Sequence, residues 1–177
     1  MKIVVNGMSA NLRFSSAHII PGHPFCGYIH GHSYFVDVEI EGEKSGDFNF
    51  VVDFKDVKNS ARAVCKSLDH RLLIPIFNKF FNFKDINPED LSLDYFNENF
   101  NDLNSIKFSV KDKKYSIPKT DCVLLPLAET SAEALSIYFT EIILNDLNTK
   151  GYKNIKSISV GVNEGIGQGA IYTKVIE

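Results

Sequence analysis

The chain has 177 residues, of which 22 are acidic and 19 basic, for a net charge of −3, and 44% of it is hydrophobic. That length suits one domain over 1–177 able to bury roughly 70% of its unfolded surface, and the slight acidity argues against a nucleic-acid or anionic-membrane surface. Three cysteines without framework spacing read as reduced thiols in a cytoplasmic protein, the amino terminus lacks the apolar stretch of a signal peptide, and no apolar run is long enough to span a bilayer.

Residues 8–18 alternate, with Met8, Ala10, Leu12, Phe14, Ser16 and His18 on one side, and predict a strand with one buried face. Pro21-Gly22-His23-Pro24 is turn chemistry. Residues 30–41 alternate again, with His30, His32, Tyr34, Val36, Val38 and Ile40 opposite Asp37, Glu39 and Glu41. The two strands can pair as an antiparallel hairpin and bring His18 beside His30 and His32. Asp53 is placed to cap a helix whose apolar residues, Phe54, Val57, Ala61, Val64, Cys65 and Leu68, recur at helical spacing up to Asp69-His70.

An ordered insertion is expected over about 74–125. Within it Asn87-Pro88 is a cap and first-turn pair for a short helix through Leu93, Phe96, Phe100 and Leu103, and Phe108, Val110, Tyr115 and Ile117 flank Lys111–Lys114 like a hairpin. Thr130-Ser-Ala-Glu133 fits a capping box opening a second helix with Leu135, Tyr138, Phe139, Ile142, Ile143 and Leu147 on its apolar face. Gly151 closes it. Ile158, Val160 and Val162 then alternate in a strand whose apolar row ends on Glu164, and a turn over 165–169 leads to a last strand over 170–176. A carboxylate at that point is at a strand end or held by a partner, because an unpaired buried charge is costly.

His30 and His32, two apart on a strand, project to the same side. Two imidazoles on an apolar face repel when charged and lose solvation when neutral, and a metal removes both problems. With His18 they suit an open three-histidine zinc site whose fourth position is left for substrate or water. A cupin-type iron site also uses His-x-His, but Asp37, the carboxylate at the right distance, has the opposite parity. Cys26, in a Gly/Pro-rich loop just before the histidines, is a candidate nucleophile or base, whereas Cys65 sits on a helix core face and Cys122 has no context. Asp69-His70 reads either as a histidine at the negative end of a helix dipole or as a base oriented by a carboxylate. Glu133 reads first as a capping residue, and His23 has no assigned role.

Phe14-Ser-Ser-Ala-His18, Cys26-x3-His30-Gly-His32-Ser-Tyr34, Val52-Asp53-Phe54-Lys55, Leu68-Asp69-His70, and Glu164 before a final Ala170-Ile-Tyr172 strand together resemble the 6-pyruvoyltetrahydropterin and 6-carboxytetrahydropterin synthase family. The motifs run in family order over nearly the whole chain outside the insertion. The resemblance implies an α+β tunnelling fold (T-fold): a four-stranded antiparallel sheet with two helices packed on one face. It implies homotrimers stacking into hexamers with active sites at subunit interfaces. It implies Zn2+ on His18, His30 and His32, proton handling by Cys26 with Asp69 and His70 from a neighbouring subunit, and anchoring of the pterin ring by Glu164.

The three-residue gap from Cys26 to His30, with Ser33 after the second histidine, matches the carboxytetrahydropterin form linked to 7-deazaguanine (queuosine-type) biosynthesis. The animal pyruvoyl form has a longer gap and asparagine, and the form tied to folate synthesis has glutamate in place of the cysteine. The expected reaction is conversion of 7,8-dihydroneopterin triphosphate to 6-carboxytetrahydropterin, acetaldehyde and triphosphate. The alternatives are a pyruvoyltetrahydropterin synthase and a non-catalytic zinc- or pterin-binding assembly protein. The link from His70 to Glu133 is longer than the family's, and Glu129-Thr-Ser-Ala-Glu133 stands where the family has Asn-Pro-Thr-x-Glu, so Ser131 is the candidate for the pterin contact of the missing threonine.

Overall fold

In chain order the elements are β1 (Lys2–Val5), β2 (Arg13–His18), β3 (His30–Gly42), α1 (Phe54–Leu68), β4 (Arg71–Pro75), β5 (Phe81–Phe83), β6 (Ser105–Val110), β7 (Lys113–Pro118), β8 (Cys122–Leu125), α2 (Ala132–Thr149), β9 (Ile155–Asn163) and β10 (Gly169–Val175). They belong to a computed structural model that describes residues 1–84, 86, 90–92, 94 and 104–176. The expected cap at Asn87-Pro88 and the helix through Leu93, Phe96, Phe100 and Leu103 lie outside the described residues.

Seven strands form the main sheet, in the order β10-β9-β3-β2-β4-β8, with β1 pairing the far half of β3. Four consecutive strands from the β10 edge run antiparallel: β2 pairs β3 with His18 opposite His30, β3 pairs β9 with Val36 opposite Val162, and β9 pairs β10. The sheet is wider than expected because β4 and β8 add to the β2 edge in parallel register. Their residues, Arg-Leu-Leu-Ile-Pro and Cys-Val-Leu-Leu, are continuous apolar runs rather than alternating ones, the pattern of strands covered on both faces. The stretch 74–125 therefore does not stand apart from the sheet, since both its ends are sheet strands.

The strand expected over 8–18 begins only at Arg13, because residues 7–11 form a turn that carries Met8 to the surface and holds Asn11 at φ 54°. This excursion takes the chain off the edge of β3 between β1 and β2. Gly7 presses on β3 so closely that a Cβ there would collide with the Val36 carbonyl, and its N–H donates to Asp37 Oδ1 at 2.7 Å.

The alternation in β3 sorts its residues. Tyr34, Val36, Val38 and Ile40 are fully buried under the helices, beside Phe14, Ile158, Val160 and Val162. Asp37 points the other way, where Asn6, Gly7 and Asn163 donate to it, so it takes no part in the histidine face. From α1, Val57, Ala61, Val64 and Leu68 cover the sheet, and from α2, Leu135, Phe139, Ile143 and Leu147. Each of the larger side chains among these contributes roughly 1.5–3 kcal/mol. Phe54 is 49% exposed, since the first residue of α1 precedes the point where its stripe meets the sheet. Asp53 caps α1 as expected, accepting from Lys55 N–H at 2.7 Å.

A second apolar cluster joins Ile19, Leu72 and Ile74 to Phe81, Phe83, Ile106, Phe108 and Val110. It packs the three-stranded sheet β5-β6-β7 beside β4 and β8. The β6–β7 hairpin is the one expected from Phe108, Val110, Tyr115 and Ile117, with Phe108 stacked on Tyr115 at 5.1 Å between centroids.

Candidate metal centre and cleft

The antiparallel register of β2 and β3 puts His18 and His30 directly opposite each other, and His32 follows two residues on. The ring centroids lie 4.5 Å apart for His18–His30, 5.1 Å for His18–His32 and 5.0 Å for His30–His32. One nitrogen of each ring falls within 4.8 Å of the other two, close enough for the three to hold one metal ion.

The backbone orients two of these rings. His18 Nδ1 meets the Thr130 carbonyl at 2.7 Å, and His30 Nδ1 meets the Tyr28 carbonyl at 2.9 Å. A carbonyl only accepts, so both Nδ1 atoms carry the proton, and in the neutral form of each ring Nε2 presents a lone pair. Those two Nε2 atoms stand 3.0 Å apart. Two facing lone pairs repel, and a cation between them turns the repulsion into coordination. This donor set, with each outer nitrogen tied to a carbonyl, fits a metal bound through imidazole Nε2. Burial pushes the His18 pKa down to about 4, against the pull of the Thr130 carbonyl and with the neighbouring His30 and His32 rings adding to it. His18 is therefore neutral near pH 7, the state a metal ligand requires.

Thr130 owes its place to the start of α2. The expected capping box is not formed there. Ser131, not Thr130, is the N-cap, with its Oγ accepting from Ala134 N–H at 3.4 Å. One residue of offset moves Glu133 from the position that reaches back to a cap to the second residue of the helix, where its side chain lines the cleft. Thr130 is fully buried and turns its carbonyl to His18.

A cleft of about 400 Å³ opens beside the histidines, lined by His18, Cys26, His30, Ser131, Glu133 and Glu164 among others. That volume falls within the usual range for small-molecule sites. Glu164 lies just past β9, where its N–H closes the β9–β10 turn on the Gln168 carbonyl at 3.1 Å, and its Oε2 stands 3.9 Å from His32 Nε2. Cys26 is partly exposed in the loop before β3. The thiols of Cys65 and Cys122 are buried, and burial pushes each up to about 12, so they stay protonated. Of the residues named from sequence, His18, His30, His32, Cys26, Ser131 and Glu164 are thus brought together.

Asp69 and His70 are not brought to that cleft. They form the tight link from α1 to β4, with His70 in the left-handed region at φ 57°. Asp69 Oδ1 accepts from Ser15 N–H at 2.7 Å, and His70 N–H donates to the Ser15 carbonyl at 2.7 Å. Asp69 Oδ2 lies 2.9 Å from His70 Nδ1, and the imidazole is 83% exposed. The Ser15 N–H first, and His70 after it, hold the Asp69 carboxyl below the usual carboxylate range. A carboxylate-oriented imidazole is thus presented on the protein surface.

Three contributors were not singled out from sequence. The Thr130 carbonyl acts through its backbone and leaves no side-chain signal. Glu133 was masked by its fit to a capping box. His23, set among two prolines and a glycine, accepts from Cys26 N–H at 3.0 Å and lines the cleft.

The sequence model of the 6-pyruvoyl tetrahydropterin synthase family matches residues 8–175. A protein of Methanocaldococcus jannaschii, provisionally named a 6-carboxy-5,6,7,8-tetrahydropterin synthase, is 44% identical over 100% of this chain and 99% of its own length. Among solved structures, the 6-pyruvoyltetrahydropterin synthase of Plasmodium vivax superposes with a TM-score of 0.81 at 27% identity, covering 99% of this chain and 98% of that one. The Plasmodium falciparum 6-pyruvoyl tetrahydropterin synthase gives 0.80 with the same identity and coverage. With a family match over nearly its whole length and a full-length relative at that identity, the chain belongs to the 6-pyruvoyl tetrahydropterin synthase family.

Proposed function

We propose that this chain is a lyase acting on a pterin triphosphate, specifically a zinc-dependent 6-carboxy-5,6,7,8-tetrahydropterin synthase. Its substrates are 7,8-dihydroneopterin triphosphate and one water, which supplies the second carboxyl oxygen, and its products are 6-carboxytetrahydropterin, acetaldehyde and triphosphate, in a 7-deazaguanine-type pathway. The observation that carries this is the facing pair of His18 and His30 Nε2 atoms, 3.0 Å apart with both Nδ1 protons committed to carbonyls, in a cleft shared with Cys26 and Glu164. The name of the M. jannaschii relative supports the carboxy form.

His18, His30 and His32 would hold the metal, and a bound zinc would supply a Lewis acid for the substrate's side-chain hydroxyls. Glu164 accepts paired N–H groups from the guanidine-like edge of the pterin, a recognition a carboxylate makes with two parallel bonds. Ser131 lines the same cleft and contacts the ring. Cys26 removes and returns a proton at the side-chain carbon next to a hydroxyl. Asp69 and His70 from a neighbouring subunit tune that thiol. Their exposed, pre-oriented geometry outside their own cleft supports a homo-oligomer, trimer or hexamer, with sites completed across interfaces. We assign the whole of 1–177 to one domain working in the cytoplasm. Among the described residues no helix is long and apolar enough to cross a membrane.

The Plasmodium neighbours favour a second reading, a 6-pyruvoyltetrahydropterin synthase, which keeps every side-chain carbon. Mass spectrometry of the products formed by zinc-loaded protein from 7,8-dihydroneopterin triphosphate separates the two. Acetaldehyde with 6-carboxytetrahydropterin is expected, whereas a product with an intact three-carbon side chain selects the pyruvoyl form. Cys26→Ala is expected to keep its metal and lose turnover. Equal inactivity of wild type and Cys26→Ala would instead mark a non-catalytic zinc- or pterin-binding protein.

A further inference from the structure

The β6–β7 hairpin reaches the loop that carries Cys26. Lys113, the first residue of β7, donates from Nζ to the Gly27 carbonyl at 3.2 Å and stands 3.6 Å from the centroid of the Tyr28 ring. Tyr28 is next in line to the metal centre, since its carbonyl accepts the Nδ1 proton of His30 at 2.9 Å. One side chain from the insertion therefore holds the residue that follows Cys26 and the residue that orients a metal-ligating ring.

The loop is closed from its other side as well. Cys26 N–H donates to His23 Nδ1 at 3.0 Å, Gly27 N–H to the His23 carbonyl at 3.0 Å, and Ile20 N–H to the Cys26 carbonyl at 2.8 Å. Gly27 packs so tightly that a Cβ there would lie 2.6 Å from the His23 oxygen. The loop is thus a compact turn with its thiol at the cleft, but its bonds are local, and local bonds on a surface turn open easily. Lys113 adds a tether from a strand 86 positions away in sequence. It combines a charged hydrogen bond with a cation held over an aromatic face.

We propose that Lys113 is a positioning residue, through which the β6–β7 hairpin fixes the Cys26 loop and the ring of His30. Its catalytic consequence rests on the reading of Cys26 as the proton-transfer group, because a thiol displaced by about 1 Å can lose on the order of a hundredfold in rate. Its structural consequence, a tethered loop, does not rest on that reading.

The test compares wild type, Lys113→Met, Lys113→Arg and Tyr28→Leu as zinc-loaded protein. Cys26 alkylation by iodoacetamide is followed by mass spectrometry, with the buried Cys65 and Cys122 as internal controls, and kcat, KM and bound zinc are measured alongside. Lys113→Met is expected to raise the Cys26 alkylation rate about fivefold and lower kcat about tenfold. KM is expected to stay within about twofold, with zinc content unchanged. Lys113→Arg, which keeps the cation and a donor, is expected to restore both. A Lys113→Met protein whose Cys26 reacts at the wild-type rate overturns the proposal, whatever its turnover. If wild type shows no turnover, the functional reading fails while the alkylation rates still decide the tether. If Lys113→Met does not fold, Tyr28→Leu decides in its place, with faster alkylation supporting the tether and an unchanged rate refuting it.

Discussion

The main-chain carbonyl of Thr130 accepts the Nδ1 proton of His18 at 2.7 Å, across 112 positions of sequence. This bond joins the start of α2 to the end of β2 and selects the tautomer that leaves Nε2 of His18 free for a metal. Because the partner is backbone, substitution of the histidine is the direct test. His18→Gln is expected to hold less than about a tenth of the wild-type zinc after dialysis, measured by elemental analysis. Its thermal midpoint is expected not to rise on adding zinc, whereas wild type gains about 2.7 kcal/mol at a hundredfold excess over Kd.

Glu164 stands near His32 at the edge of the cleft without making a hydrogen bond to it. If it receives the pterin edge, Glu164→Gln replaces a charged pair of bonds by a weaker, mismatched one. A fall in kcat/KM of about a hundredfold is expected, equivalent to about 2.7 kcal/mol, with bound zinc unchanged. Steady-state kinetics beside metal analysis would show it, and loss of zinc together with activity would instead make Glu164 a ligand.

The folded state depresses the Asp69 pKa, chiefly through the Ser15 N–H. The linked stability is complete above the ordinary carboxylate pKa and is lost as pH falls through the lower folded value. In Asp69→Asn that acid-side loss is expected to shrink, because the amide does not titrate. The carboxylate is 39% exposed, so solvent weakens the effect, and the variant is expected to lose no more than about 1 kcal/mol at pH 7. Urea unfolding of both proteins from pH 5 to pH 2 measures the difference, and parallel curves would contradict it.

Phe139 connects α2 to the site through a series of ring contacts, two stacked and the last edge-on. It lies 5.6 Å from Phe14, which lies 4.5 Å from Tyr34, and Tyr34 in turn lies 5.5 Å from His32. Phe139 is fully buried. Phe139→Ala is expected to destabilise the fold by about 3–5 kcal/mol in chemical denaturation, through lost burial and the cavity left behind. A loss under about 1 kcal/mol would mean that the core collapses onto the vacancy.

Much of the architecture was readable from alternation alone. Tyr34, Val36, Val38 and Ile40 announced a buried strand face, and His30 and His32 share their parity, so the histidines had to lie on the helix side of the sheet. Likewise Asp53 announced the start of α1. Misjudged regions were those where local pattern and tertiary contact compete. Met8 and Ala10 keep the parity of β2 but belong to a turn, because Gly7 and Asp37 draw the chain off the sheet edge. Thr130 and Glu133 satisfy a capping pattern that Ser131 takes over. β4 and β8 have no alternation because both of their faces are covered, so a pattern that looks for one wet side passes over them.

By itself the amino-acid order determined which residues share a face and which are spaced to act together. Those properties follow from the repeat of a strand or a helix, a local matter of backbone geometry. Only the tertiary structure decided that a carbonyl from α2 would set the His18 tautomer and that a lysine from the insertion would hold the cysteine loop. It also decided that Asp69 and His70 would lie outside the cleft of their own chain. Each of these is a contact between segments far apart in sequence, formed where packed elements end, and local periodicity carries no record of such contacts.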